Sequence, residues 1–170
     1  MEAGGVASLA AHLGAGDAVT AAARQAFGLD LPQKPGFSQA PGLRAIWAGP
    51  ERWLIVAEGD VEAALVERLG EHATVTDQTD ARTVLHVYGP RAADTLAKGV
   101  GLDLHSRAFQ PGMAAMTLAA DVPVLLWQED AAPTYALAIP RSYAGSVAAW
   151  LVASAAEYGL VIEPAGVLLP

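Results

Sequence analysis

"VPVLLWQEDAAPTYALAIPRSYAGSVAAWL", residues 122–151, reads as a hairpin followed by a helix. Two apolar runs, near 122–128 and 134–139, flank a polar turn. A helix then starts at Ser142, a residue suited to N-capping, and runs to about Tyr158. Val147, Trp150, Leu151, Ala155 and Tyr158 fall along one face of it. "LRAIWAGPERWLIVAEGDVEAALVERL", residues 43–69, repeats the pattern with different residues. Its runs Leu43–Ala48 and Trp53–Ala57 flank Gly49-Pro50. Asp60 then caps a helix with Val61, Ala64, Leu65 and Leu69 at helical spacing. The echo predicts an α+β fold, with antiparallel sheets backed by helices in two pseudo-repeated ferredoxin-like lobes.

Other elements follow outward from these two. Residues 17–27 read as a helix with Asp17 as N-cap and Ala22, Ala23, Ala26 and Phe27 as its apolar face. "GLDLPQKPGFSQAPG", residues 28–42, carries three prolines and three glycines and reads as an extended arm outside the core. The expected division is therefore residues 1–36, an N-terminal helix and arm, and residues 37–170, an α+β domain. "HATVTDQTDARTVLHVYG", residues 72–89, adds two strands around a polar turn at Asp77–Asp80. A short helix over 90–98, with Ala93, Leu96 and Ala97 on one side, and a strand near 113–119 complete the pattern.

Composition narrows the function. Of 170 residues, 53% are hydrophobic and 16% charged, and the net charge is −8. No Lys/Arg cluster is present to displace counterions from phosphates, so nucleic acid and an anionic membrane surface are set aside. Surplus apolar surface points to a partner subunit, with an alanine-rich composition as the other source. The chain has no cysteine, which excludes disulfides, thiolate catalysis and Cys-based metal sites, and fits a cytoplasmic protein. The N-terminus lacks the basic region of a signal peptide, and no apolar run reaches the roughly 18 residues of a membrane span.

The motifs carry little chemistry. Gly89-Pro90 stands between a strand and a helix, where phosphate loops begin, but offers one glycine and a proline without an N–H. Its expected role is to start the helix. Gly99 reads as that helix's left-handed C-cap. His12, His72, His86 and His105 form no pair at metal-ligand spacing. Asp103 and His105 form a weak pair better read as loop hydrogen bonding, and Asp77 and Asp80 read as turn residues. There is no G-x-S-x-G. No catalytic, cofactor-binding or metal-binding residue is assigned. Trp47, Trp53, Trp127 and Trp150 read mostly as core. Arg141, after Pro140, either braces the strand-to-helix turn or contacts a partner. Arg141, Tyr143, Trp127 and Trp47 are the residues assigned to a partner interface, since aromatics and Arg dominate such surfaces.

Five pieces in order carry a resemblance. They are "WAGPERWLIV", "GPRAADTLAKG" after a strand, "LDLHSRAFQPG", "MTLA" before an apolar strand, and "PRSYAGSVAAWL". Over about residues 37–160 the chain resembles the gamma subunit of heterotetrameric sarcosine oxidase. It is more distantly similar to the folate-binding aminomethyltransferases, the glycine-cleavage T-protein and its relatives. The resemblance implies a non-catalytic gamma subunit. The complex demethylates sarcosine to glycine with O2, giving H2O2 and formaldehyde or 5,10-methylenetetrahydrofolate. It implies alpha, beta and delta partners, with FAD, FMN, NAD, zinc and tetrahydrofolate held on those other subunits. The alternative is a stand-alone folate-binding, aminomethyltransferase-like domain.

Overall fold

The computed structural model describes residues 4–163. They form two compact units, one made of the described residues up to Asp80 and the other beginning at Ala81.

The first unit runs β1 (Gly5–Ala11), α1 (Gly16–Phe27), β2 (Phe37–Ala40), β3 (Leu43–Gly49), β4 (Arg52–Ala57), α2 (Glu62–Leu69) and β5 (Ala73–Asp77). Its antiparallel sheet has the order β2-β3-β4-β1-β5. With β2 set aside as an added edge, β1-α1-β3-β4-α2-β5 is a ferredoxin-like βαββαβ unit. The second unit runs β6 (Arg82–Tyr88), α3 (Ala92–Ala97), β7 (Ala114–Ala119), β8 (Val122–Asp130) and β9 (Thr134–Pro140). A 3-10 turn at Arg141–Tyr143 then leads into α4 (Ala144–Ala155). Its sheet has the order β7-β8-β9-β6. The order matches β2-β3-β4-β1 strand for strand, so the sequence echo is a true structural repeat.

Each unit buries the helix-facing side of its sheet. In the first, Ala7, Leu9, Ala45, Trp53 and Ile55 meet Val19 and Ala23 of α1 and Leu65 and Leu69 of α2. In the second, Val124, Leu126, Leu137 and Ile139 meet Leu96 of α3 and Val147 of α4. Each such leucine or isoleucine contributes about 1.5–3 kcal/mol on burial.

Several local expectations change. The boundary expected at residues 36/37 does not fall between the units. β1 and α1 belong to the first core, and Leu29 and Leu31, in the supposed arm, lie within it. The chain there turns inward after the left-handed Gly28, and the Trp53 indole N–H donates to Pro32 O at 2.8 Å. β5 and β6 flank the turn at Asp77–Asp80 but belong to different sheets. Asp77 Oδ1 accepts the Thr79 N–H at 2.9 Å, and Thr79 Oγ1 accepts the Val6 N–H at 3.0 Å.

The caps also differ. Asp17 lies in the first turn of α1, where its charge suits the helix dipole, and Ala15 is the cap. Ser142 sits inside the 3-10 turn, and Tyr143 precedes α4. Ala64 and Ala97 are exposed. α3 ends at Lys98 in right-handed conformation. Gly99 packs closely on Trp150, where a Cβ would lie 2.8 Å from Cζ2.

Candidate functional site

The helix start at Gly89-Pro90 lies beside a cleft of about 780 Å3 in the second unit. The chain reverses there because Gly89 takes φ 109° and the Ala92 N–H donates to Gly89 O at 3.0 Å. Thr95 N–H bonds Arg91 O at 3.0 Å. Pro90 has no N–H, so no run of free amides faces an anion. The turn starts a helix and does not build a phosphate cradle.

One wall of the cleft is α3 and the loop after it, with Ala93, Asp94, Asp103 and His105. The floor is Phe109 and Tyr135, whose rings stack with centroids 6.5 Å apart. The polar groups of the wall serve the loop itself. Asp103 Oδ1 accepts the His105 N–H at 2.9 Å, and His105 Nδ1 accepts the Arg107 N–H at 3.2 Å. That leaves the His105 ring's other nitrogen to carry its proton. Asp94 pairs with Arg91 at 3.2 Å. Burial raises the pKa of Tyr135, so its phenol stays protonated and cannot act as a base near neutrality. Gln128 donates through Nε2 to Asp130 O at 2.9 Å, while its buried Oε1 accepts nothing among the described residues. Alternation along β8 and β9 places Gln128 and Tyr135 on the helix side. That pairing, Gln128 opposite Tyr135, escapes a reading of either strand alone.

The other residues singled out from the sequence are scattered. His12 Nε2 lies 3.4 Å from Thr74 Oγ1, and its N–H donates to His72 O at 2.9 Å. His86 Nδ1 is 3.9 Å from Glu129 Oε1, which accepts the Trp127 indole N–H at 3.2 Å. This group reaches from Trp127 and Glu129 on β8 across β9 to His86 on β6, so only the sheet order could have revealed it. Among the described residues no group of three or more His, Asp or Glu stands ready to hold a metal. No described helix is long and apolar enough to cross a membrane.

Of the four interface residues, Trp127 is only 1% exposed, so its ring already lies within the chain's own core. Trp47 is half-buried opposite Trp53. Arg141 is exposed, and its N–H donates to Ala81 O at 2.8 Å, tying the strand-to-helix turn to the start of β6. Tyr143 is 49% exposed. Sequence reasoning missed the exposed side chains of β7. Met116 and Leu118 stand 58% and 47% exposed on one face of that edge strand, with Met113 just before it. Another missed group joins α3 to α4. Lys98 Nζ and the Arg91 guanidinium each lie 4.6 Å from the Tyr158 ring, and Lys98 is ion-paired with Glu157.

Residues 12–157 match the model of the family described as "Sarcosine oxidase, gamma subunit family". A sarcosine oxidase subunit gamma of Corynebacterium sp. (strain P-1) is 38% identical over 144 residues, covering 81% of this chain and 70% of that protein. One from an Arthrobacter species is 37% identical over 149 residues, covering 84% and 72%. The structure is similar to a chain of heterotetrameric sarcosine oxidase from Corynebacterium sp. U-96, solved with pyrrole 2-carboxylate. That TM-score is 0.82 at 29% identity, covering 96% of this chain and 85% of that one. Aminomethyltransferase T of the Bartonella henselae glycine cleavage system shares the fold, with a TM-score of 0.64 at 16% identity over 89% of this chain and 44% of that one. The chain belongs to the sarcosine oxidase gamma subunit family.

Proposed function

We propose that this chain, as a member of that family, is the gamma subunit of a heterotetrameric sarcosine oxidase and packs against its alpha, beta and delta subunits. The complex demethylates sarcosine to glycine with O2 and releases H2O2. The methyl carbon leaves as formaldehyde or as 5,10-methylenetetrahydrofolate. FAD, FMN, NAD, zinc and the folate sit on the other subunits, and the assembly works in the cytoplasm. The observation that carries this reading is the likeness to a chain of the heterotetrameric enzyme, which extends over 96% of this chain. The chemistry of the cleft is consistent with it. In the cleft, Asp103 and His105 hold loop backbone, and Asp94 pairs with Arg91.

The partner surface is assigned to Met116 and Leu118 of β7, with Tyr143 and Arg141 at the start of α4. Exposed apolar side chains grouped on an edge strand are the kind of surface a permanent partner covers.

The test is to express the tagged chain together with the other subunits of its source and take a visible spectrum of what co-purifies. A yellow complex of fixed stoichiometry is expected. Replacing Met116 and Leu118 together by Asp should lower recovery of the complex at least about 10-fold, since charges at an interface core cost more than 1.4 kcal/mol. The circular dichroism of the isolated chain should be unchanged. A colourless product containing this chain alone overturns the reading. Tetrahydrofolate binding by the isolated chain in calorimetry would then favour the folate-binding alternative.

A further inference from the structure

The cleft of the second unit holds a buried acceptor that the fold leaves unmatched. Gln128 is only 5% exposed, and its Nε2 donates to Asp130 O at 2.9 Å. Its Oε1 is buried and accepts no hydrogen bond among the described residues. The amide cannot turn over to place that oxygen elsewhere, because Asp130 O is itself an acceptor and needs the NH2 group beside it. Buried acceptors are seldom left this way, since each has given up its hydrogen bond with water. The main chain fixes the position. The Gly112 N–H donates to Gln128 O at 2.9 Å and the Gln128 N–H to Met113 O at 3.0 Å, which sets the side chain in the wall of the cleft, opposite Tyr135 on β9.

The rest of the lining defines what would match it. The volume, about 780 Å3, suits a small organic molecule better than a bare ion. The lining carries the carboxylates Asp94 and Asp103 and, among the described residues, no lysine or arginine. Asp94 shares its charge with Arg91. Asp103 uses Oδ1 on the His105 N–H and keeps Oδ2. The floor is the stacked pair Phe109 and Tyr135, and aromatic rings attract both a flat apolar body and a cation. An acceptor without a donor, a negative wall and an aromatic floor agree on one chemistry.

We infer that this cleft binds a small aromatic ammonium ion, which donates to Gln128 Oε1, lies on Phe109 and Tyr135 and is attracted by Asp103. This goes beyond the proposed subunit role and does not depend on it. Oε1 is closed to bulk water, so the bond to it forms in surroundings of low dielectric, where it is strongest. The exposed stretch His105–Ala108 at the rim is the part that gives way as the ion enters.

The test is an NMR titration of the full chain with benzylamine, a cation at neutral pH. Saturable shifts are expected at the Gln128 side-chain NH2 and at the amides of Asp103 and His105, with a Kd of about 1 mM, as suits so small a fragment. Benzyl alcohol has the same shape without the charge, and benzoate has the opposite charge. Both should bind at least about 10-fold more weakly. Gln128→Met keeps the length of the side chain without its acceptor and should weaken benzylamine about 10-fold. Asp103→Asn keeps an oxygen for the His105 N–H and should weaken it about 3-fold, since that residue is exposed. The second variant leaves the core untouched, so the test stands even where the buried Gln128 variant fails to fold. A titration that never saturates overturns the inference, as do shifts that leave Gln128 unmoved. Equal affinity for benzyl alcohol, or unchanged affinity in both variants, overturns it as well.

Discussion

β1 and β6 open the two units in the same way. Each pairs on one side with the last hairpin strand of its repeat, β4 or β9, and each leads to a helix. Their surroundings differ. β1, "GVASLAA", is built from small residues and is largely buried, because β4 and β5 flank it on both sides. β6, "RTVLHVY", has the stronger strand formers and is half-exposed along its length. Burial is set by the neighbours a strand acquires, and side chains that favour strand geometry do not by themselves bring a second neighbour.

Core truncation sharpens the comparison most. Leu9→Ala removes a fully buried side chain from β1 and should cost about 3 kcal/mol in chemical denaturation. Leu85→Ala in half-buried β6 should cost about 1 kcal/mol, because less apolar surface is lost. Equal losses would mean that β6 is covered as tightly as β1.

The close glycines come next. At Gly5 a Cβ would stand 2.2 Å from the carbonyl oxygen of Gly59, which is main chain and cannot swing away. Gly5→Ala should therefore lower stability by about 3 kcal/mol. At Gly99 the obstacle is the Trp150 side chain, which can shift, so Gly99→Ala should cost about 1 kcal/mol and alter the tryptophan fluorescence. The reverse order would place the tighter packing in the second unit.

The hairpin turns offer a smaller gain. Ala120 and Asp121, between β7 and β8, have φ of 47° and 65°, a left-handed pair that glycine adopts more easily. Ala120→Gly should raise the stability by about 0.5 kcal/mol, the relief of strain being partly offset by a freer unfolded chain. A loss of stability on denaturation would show that the Ala120 methyl is packed.

The smallest effect is electrostatic. The hydrogen bond and charge of Lys98 hold the Glu157 carboxyl below its ordinary 4.5, and Glu157 holds Lys98 above its ordinary 10.5. The Glu157 contribution is present above about pH 4.5 and is lost as the pH falls through its folded value. The Lys98 contribution is present below about pH 10.5 and is lost as the pH rises through its folded value. Glu157→Gln should flatten the melting temperature at both ends of this window and change it little in the middle, since both groups are exposed to solvent. An unchanged pH profile would show that the pair contributes nothing.

Some of this could be read from the residues in order. The hairpins at 43–57 and 122–139 stood out because long apolar runs with a turn between them have few other ways to fold. β1 did not, since "GVASLAA" has neither bulky strand formers nor a clean alternation. β2 and the buried Leu29 and Leu31 lay hidden in a stretch whose prolines and glycines read as an arm. At the cleft, Pro90, Asp103 and His105 were visible as a loop. Phe109, Tyr135 and Gln128 were not, because the loop, β8 and β9 meet only when the sheet forms. Gly99 reads as a cap for want of its real neighbour, Trp150, 51 positions away.

Local periodicity and turn chemistry act between residues a few positions apart, so most helices and hairpins, the repeat and the family resemblance are legible along the chain. The tertiary structure decided what depends on distant partners. It assigned β5 and β6, four residues apart in the chain, to different sheets. It drew β1 between β4 and β5, left β6 at the end of its sheet, and withdrew Trp127 into the core while leaving Met116 exposed. Strand pairing and side-chain burial are contacts between segments far apart in sequence, and no local window contains both partners.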